Sequence, residues 1–197
     1  FGGFLSTAYA MKYPENIEHL TLADPWGFNE KPDLSDRPLW QKSLMRVFGK
    51  VAPLGIVRAA GPFGEWLVSK ARKDIMLKYE NVVDDHRVIA RYIHQCNSDN
   101  PTGEIAFKRL LNGGPWAKYP IGERMKENFP SDIPVTFIYG EKTWMRIDYG
   151  LIIKESRPES YTNIEFVKGA GHHVYADNAD DFNKYALNAC NFLKSQI

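Results

Sequence analysis

The sequence predicts an α/β chain built on a parallel sheet. Three observations carry that expectation. The final third reads strand, helix, strand, glycine-rich loop, helix, an order that builds parallel sheets. The first two dozen residues read helix then short apolar strand. Between them lies a long stretch of amphipathic segments broken by Pro and Gly, with no convincing strand.

Taken in order, Phe1-Gly2-Gly3-Phe4-Leu5-Ser6-Thr7-Ala8-Tyr9-Ala10-Met11-Lys12-Tyr13 predicts a helix that Pro14 stops. Ile17–Ala23 is a mostly apolar run of strand length, closed by the turn signal Asp24-Pro25-Trp26-Gly27. A helical insertion is expected over about 29–130, with helices at Pro38–Val51, Phe63–Tyr79, Asp84–Cys96 and around Ile105–Leu111. We read it as a cap on one incomplete domain spanning 1–197. A strand is expected at Ile133–Gly140, a helix around Tyr149–Ser156 and a strand at Asn163–Val167. A loop then follows at Gly169-Ala170-Gly171-His172-His173, and a last helix from about Asn178 to Lys194.

Composition narrows the function classes. The 197 residues carry 25 basic and 24 acidic side chains, so no basic excess points to nucleic acid. Cys96 and Cys190 are the only cysteines, which is no disulfide framework and fits a reducing, cytoplasmic compartment. No apolar run approaches the roughly 18–20 residues that cross a bilayer. Neither a metal site nor a resident cofactor is expected.

The opening residues look like the tail of G-x-S-x-G, the strand-to-helix turn that presents an α/β-hydrolase nucleophile. If Gly-His-Ser stood immediately ahead of Phe1-Gly2-Gly3, the motif and the helix after it would both follow. Phe1 would then offer its backbone N–H to an oxyanion. The alternative is an arbitrary start before a helix. His172, on a glycine-rich loop after the last strand, stands where the order nucleophile, acid, His puts the general base. The fold expected is therefore the C-terminal part of an α/β-hydrolase fold with a helical cap insertion.

The acid should follow the strand ending at Gly140, where a carboxylate can hold the histidine tautomer. Asp148 is the candidate and Glu141 the second, although Asp148 could equally cap the helix beginning near Tyr149. Asp177 completes His172-x-x-x-x-Asp177, which resembles the H-x4-D of glycerolipid acyltransferases. It is also a good N-cap for the last helix, with Asp180 and Asp181 in the first turn. In the insertion, Trp40, Trp66, Trp116, Phe63, Tyr92, Met45, Met76 and Met125 are expected mostly in the core, with apolar walls for acyl chains as the functional alternative. Lys42, Arg46, Lys50 and Arg58 could face phosphates, but a solvated face is the simpler reading.

Longer matches now accumulate. They are Ala23-Asp24-Pro25-Trp26-Gly27-Phe28 with Lys31-Pro32-Asp33-Leu34, Ala60-Gly61-Pro62-Phe63-Gly64, Tyr92-Ile93-His94-Gln95-Cys96-Asn97, Pro101-Thr102-Gly103-Glu104, Trp116-Ala117-Lys118, and Gly169 through Asp177. Together they resemble the abhydrolase-domain lipid proteins. That group includes a coactivator of adipose triglyceride lipase, also described as a lysophosphatidic acid acyltransferase, and a sister lysophospholipase acting on N-acyl phosphatidylethanolamines. The resemblance implies lipid metabolism: lysophospholipid hydrolysis as a serine hydrolase, acyl transfer from acyl-CoA, or non-hydrolytic lipase activation. It implies a peripheral site of action on lipid droplets, endoplasmic reticulum or mitochondria, with a triglyceride lipase and a droplet-coat protein as partners.

By the same resemblance, Lys142 and Gly171 fall on positions tied to lipase activation, and His172 on the triad histidine. The residue before Phe1 would be Ser in the lysophospholipase and Asn in the coactivator. The family's acid position, six residues after Gly140, is Arg146 here, with Asp148 two residues on.

Overall fold

The computed structural model describes residues 1–33, 38, 53–85, 87–112 and 114–192. They form two compact units, one of Phe1–Lys31 with Trp116–Ile197 and one of Pro32–Pro115.

The first unit is the α/β part. Helix α1, Gly2–Lys12, buries Phe4, Thr7 and Ala10, a three-residue spacing that gives one buried stripe, with the Thr7 hydroxyl donating to the Gly3 carbonyl at 2.7 Å. Lys12 in its last turn suits the negative end of the helix dipole. Pro14 cannot continue the helix and opens a single 3-10 turn, Pro14–Asn16.

Strand β1 is Leu20–Ala23, three residues shorter than the apolar run suggests. Ile17 closes the 3-10 turn, spending its N–H on the Pro14 carbonyl, and pairing begins only where the Leu20 N–H meets the Pro134 carbonyl at 2.9 Å. Strand β2, Val135–Gly140, starts after Pro134, which has no N–H to pair, and all six of its residues are buried. Strand β3 is Thr162–Val167.

The order is β1-β2-β3, all parallel, with Leu20 opposite Val135 and Val135 opposite Thr162. Stacked Phe137 and Tyr139, with Phe28 edge-on to Phe137, fill the layer on one face. On another side Ile138, Val167, Ala170 and Val174 form a fully buried cluster beneath Phe182, Tyr185 and Ala186.

Helix α7, Gly122–Asn128, was not expected from the sequence; it buries Gly122 and Met125, with its N-cap residue Ile121 buried as well. It packs on α8, Asp148–Ser156, through Tyr149, whose hydroxyl donates to Glu123 at 2.9 Å. Burial and that bond push the Tyr149 phenol up to about 12. Arg157 ends α8 inside the protein, donating to the Pro130 and Ile133 carbonyls at 2.7 and 2.8 Å. These bonds satisfy backbone oxygens that would otherwise be orphaned.

The helix expected from about Asn178 is α10, Ala179–Phe192; ahead of it stands a four-residue helix the sequence did not suggest, α9, Val174–Asp177. Asn178, not Asp177, is the N-cap of α10, its Oδ1 accepting the Asp181 N–H at 3.1 Å.

The second unit, among its described residues, is helical without a strand. Its helices are α2, Pro53–Ala59; α3, Gly64–Ala71; α4, Lys73–Lys78; α5, Arg87–Ser98; and α6, Thr102–Arg109. The single helix predicted over Phe63–Tyr79 breaks at Arg72, whose backbone leaves the helical region while its guanidinium grips Asp74. Helices α3 and α5 meet through small residues: Val68 and Ala90 are buried, and a side chain on Gly64 would collide with the His94 ring.

Of the residues of the insertion expected in the core, Met125 is fully buried and Trp116 and Met76 are half-buried, but three aromatic ones are not. Phe63, Trp66 and Tyr92 are 75%, 61% and 66% exposed. Arg58 is no free phosphate ligand either, because it pairs with Glu104 at 2.5 Å. The helix expected at Pro38–Val51, with Trp40, Lys42, Met45, Arg46 and Lys50, lies almost wholly outside the described residues.

Candidate active site

The carboxyl ends of parallel strands are where open α/β sheets place their chemistry. Here the end of β1 turns at Asp24, the one described non-glycine residue with a left-handed backbone, at φ 45°. Asp tolerates that conformation better than most residues. The turn aims its carboxylate inward, where the side chain is fully buried.

A buried carboxylate must be paired and hydrogen-bonded. Asp24 Oδ2 accepts from the Thr143 hydroxyl at 2.7 Å and lies 2.5 Å from His172 Nδ1; Oδ1 faces the Gly140 N–H at 3.4 Å. Thr143 is itself oriented by the Met145 N–H, which donates to its hydroxyl oxygen. Burial, with the charge of Asp24 nearby, drives the Tyr139 phenol well above its ordinary value. Tyr139 itself is buried, stacked on Phe137.

His172 reaches Asp24 because two backbones touch. A side chain on Gly140 would collide with the Gly171 carbonyl, and with that of Ala170 at 2.6 Å. The loop before His172 is held at successive points. The Gly169 N–H donates to Glu141 at 2.8 Å, the Lys142 N–H donates to the Ala170 carbonyl at 2.8 Å, and the Gly171 N–H donates to Asp177 at 2.9 Å. Gly169, at φ 71°, takes a backbone that other residues rarely adopt. The His172 side chain remains 33% exposed, with the Trp144 ring centroid 5.5 Å away.

Across from it stands the tip of α1. Gly3 allows the approach: a Cβ there would sit 2.7 Å from Pro25 Cβ. Phe1 is the N-cap of α1, and its ring sits edge-on to Trp26, centroids 6.1 Å apart. A cleft of about 400 Å³ lies between, lined by Phe1, Gly2, Ser6, Asp24, His172 and Tyr175 among others. With Nδ1 engaged by Asp24, Nε2 is the ring nitrogen left to move a proton in that cleft. Among the described residues no three side chains cluster as metal ligands.

The residues singled out from sequence thus divide. His172 and Phe1 share the cleft. Asp148 does not face the histidine: it opens α8 and pairs with the Arg146 guanidinium on the exposed side of the loop. Glu141 serves the loop backbone. Lys142 is exposed, its N–H binding the histidine loop; Gly171 and Asp177 are bonded to each other. The acid that meets His172 is Asp24, which sequence reasoning treated as a turn residue. The available signal was its place at the carboxyl end of a strand, the edge that also carries the histidine loop.

No family model matches the chain. Among curated proteins it is similar to a mouse (lyso)-N-acylphosphatidylethanolamine lipase, 41% identical over 96% of the chain and 56% of the relative. It is also similar to the pig 1-acylglycerol-3-phosphate O-acyltransferase ABHD5, 42% identical over 96% of the chain and 55% of the relative. The chain thus spans just over half the length of these relatives.

Among solved structures it resembles a meta-cleavage product hydrolase from Pseudomonas fluorescens, with TM-score 0.56, 17% identity, and coverage of 97% of this chain and 62% of that one. A carboxylesterase structure from Nitrososphaera gargenis gives TM-score 0.55 and 13% identity, covering 100% and 64%. At these identities the likeness is one of fold, and the fold is that of α/β hydrolases.

Proposed function

For a relative of the α/β-hydrolase-fold lipid proteins, matched over 96% of its length, we propose that this chain carries the acid–base half of an acyl-group site acting on lysophospholipids. The observation that carries the reading is the Asp24–His172 pair facing the tip of α1 across one cleft.

In the whole protein a serine immediately before Phe1 would attack the acyl carbonyl carbon. Its proton passes to His172 Nε2, and Asp24 stabilises the imidazolium through Nδ1–H. The Phe1 N–H holds the oxyanion. The tetrahedral intermediate collapses, the C–O bond to the glycerol oxygen breaks, and that oxygen takes the proton from His172. Water then repeats the sequence on the acyl-enzyme and releases the fatty acid. A lysolipid hydroxyl in place of that water gives acyl transfer, with acyl-CoA as donor and thiol as leaving group.

The reading suits peripheral work at a lipid surface: droplet, endoplasmic reticulum or mitochondrion. No helix among the described residues is long and apolar enough to cross a membrane.

The test uses the full-length protein, a fluorophosphonate probe and lysophosphatidylethanolamine micelles. Labelling and fatty-acid release should both occur and both vanish with His172→Ala. An unlabelled, inactive wild-type protein that stimulates a triglyceride lipase would overturn the reading in favour of a coactivator acting through Lys142 and Gly171.

A further inference from the structure

Asp177 is tied to both sides of His172. Its carboxylate accepts the Gly171 N–H at 2.9 Å, and its own N–H donates to the His173 carbonyl at 2.9 Å. The segment His172-x4-Asp177 thus closes into a ring whose fixed points flank the histidine in sequence. The short helix α9 supplies the turn that makes five-residue spacing reach back so far.

The other amides ahead of His172 are also taken. Gly169 donates to Glu141 at 2.8 Å, and Ala170 to the Val167 carbonyl at 3.3 Å. Two of these three bonds end on carboxylates, the stronger kind of acceptor. By contrast, the cleft is lined by His172, His173 and Tyr175 from this segment, and Asp177 is not among its lining residues.

From this geometry we propose that Asp177 is a positioning residue, which sets the place of the His172 imidazole through the backbone and takes no proton in the reaction. The H-x4-D spacing is then a clamp on the general base, with Glu141 as its second jaw. The proposal rests on the acyl-group reading above, but its central observation does not, so the two fail separately.

The distinction between clamp and acid–base group turns on one substitution. Asn keeps an oxygen that accepts the Gly171 N–H but cannot carry a proton in catalysis; Ala keeps neither. In the full-length protein acting on lysophosphatidylethanolamine micelles, Asp177→Asn should hold kcat within about threefold of wild type. Asp177→Ala should lower kcat about 10- to 100-fold, the cost of a small misplacement of a reacting group, with KM within about twofold. Amide hydrogen exchange over 169–173 should quicken by about tenfold in Asp177→Ala and stay near wild type in Asp177→Asn.

Equal loss of kcat in both variants, with exchange unchanged in Asp177→Asn, would overturn the clamp and make the carboxylate chemical. Unchanged exchange in Asp177→Ala would overturn it too. Should Asp177→Ala not fold, Asp177→Asn decides alone: retained kcat supports the clamp and lost kcat refutes it. If the wild-type protein proves inactive, the acyl-group reading falls while exchange still reports on the clamp.

Discussion

His172 Nδ1 lies 2.5 Å from Asp24 Oδ2, across 148 positions of sequence, and Asp24 is wholly buried. The carboxylate beside His172 thus comes from the end of β1, while the loop after β2 supplies the threonine that orients it.

Thr143 is the first place to test this arrangement. Its hydroxyl donates to the same Asp24 oxygen that faces His172, at 2.7 Å. A bond to a buried carboxylate contributes about 1.5–3 kcal/mol. Thr143→Val should therefore lower kcat about tenfold or more, whereas Thr143→Ser, which keeps the donor, should retain most activity. Steady-state hydrolysis by the two variants checks it, and equal activity in both would speak against the network.

Gly140 is where the β2 end and the histidine loop touch backbone to backbone. A methyl group there meets two carbonyl oxygens, neither of them a flexible side chain. Gly140→Ala should cost about 1–3 kcal/mol, as overpacking does, and should displace His172. Denaturant unfolding would register the loss, and an unchanged midpoint with full activity would show the contact to be softer than drawn.

His19 sits at the opposite end of β1, with Nε2 2.9 Å from the Thr136 hydroxyl and its ring against Tyr161 and Phe192. Burial holds its pKa below the ordinary 6.5. Below pH 6.5 the unfolded chain takes up a proton that the folded chain refuses. Stability contributed here is thus intact above pH 6.5 and falls as the pH drops towards the folded value. Urea midpoints between pH 7.5 and 5 should decline, and His19→Gln should flatten the decline. An identical slope in the variant would locate the effect elsewhere.

Much of this fold is legible in the sequence because its signals are local. The apolar run to Ala23, the run to Gly140 and the glycines around His172 each mark an element without reference to distant contacts. Asp24 is harder to read: its role depends on a left-handed backbone and on a partner 148 residues away.

The seven-residue helices α2 and α7 are too short for a period to show. The break at Arg72 lies in one residue's backbone, beside a local pairing with Asp74, and periodicity does not see it. Asp177 and Asn178 are both good caps by type, and only α9 decides between them by engaging Asp177 first.

The relocation of the acid is tested most directly by one pair of variants in the full-length protein. By analogy with other triads, Asp24→Asn should lower kcat/KM on a lysophospholipid by about 10⁴-fold through loss of the correct tautomer. Asp148→Asn, which only releases Arg146, should leave it within about threefold. A large loss with Asp148→Asn and a small one with Asp24→Asn would contradict the account.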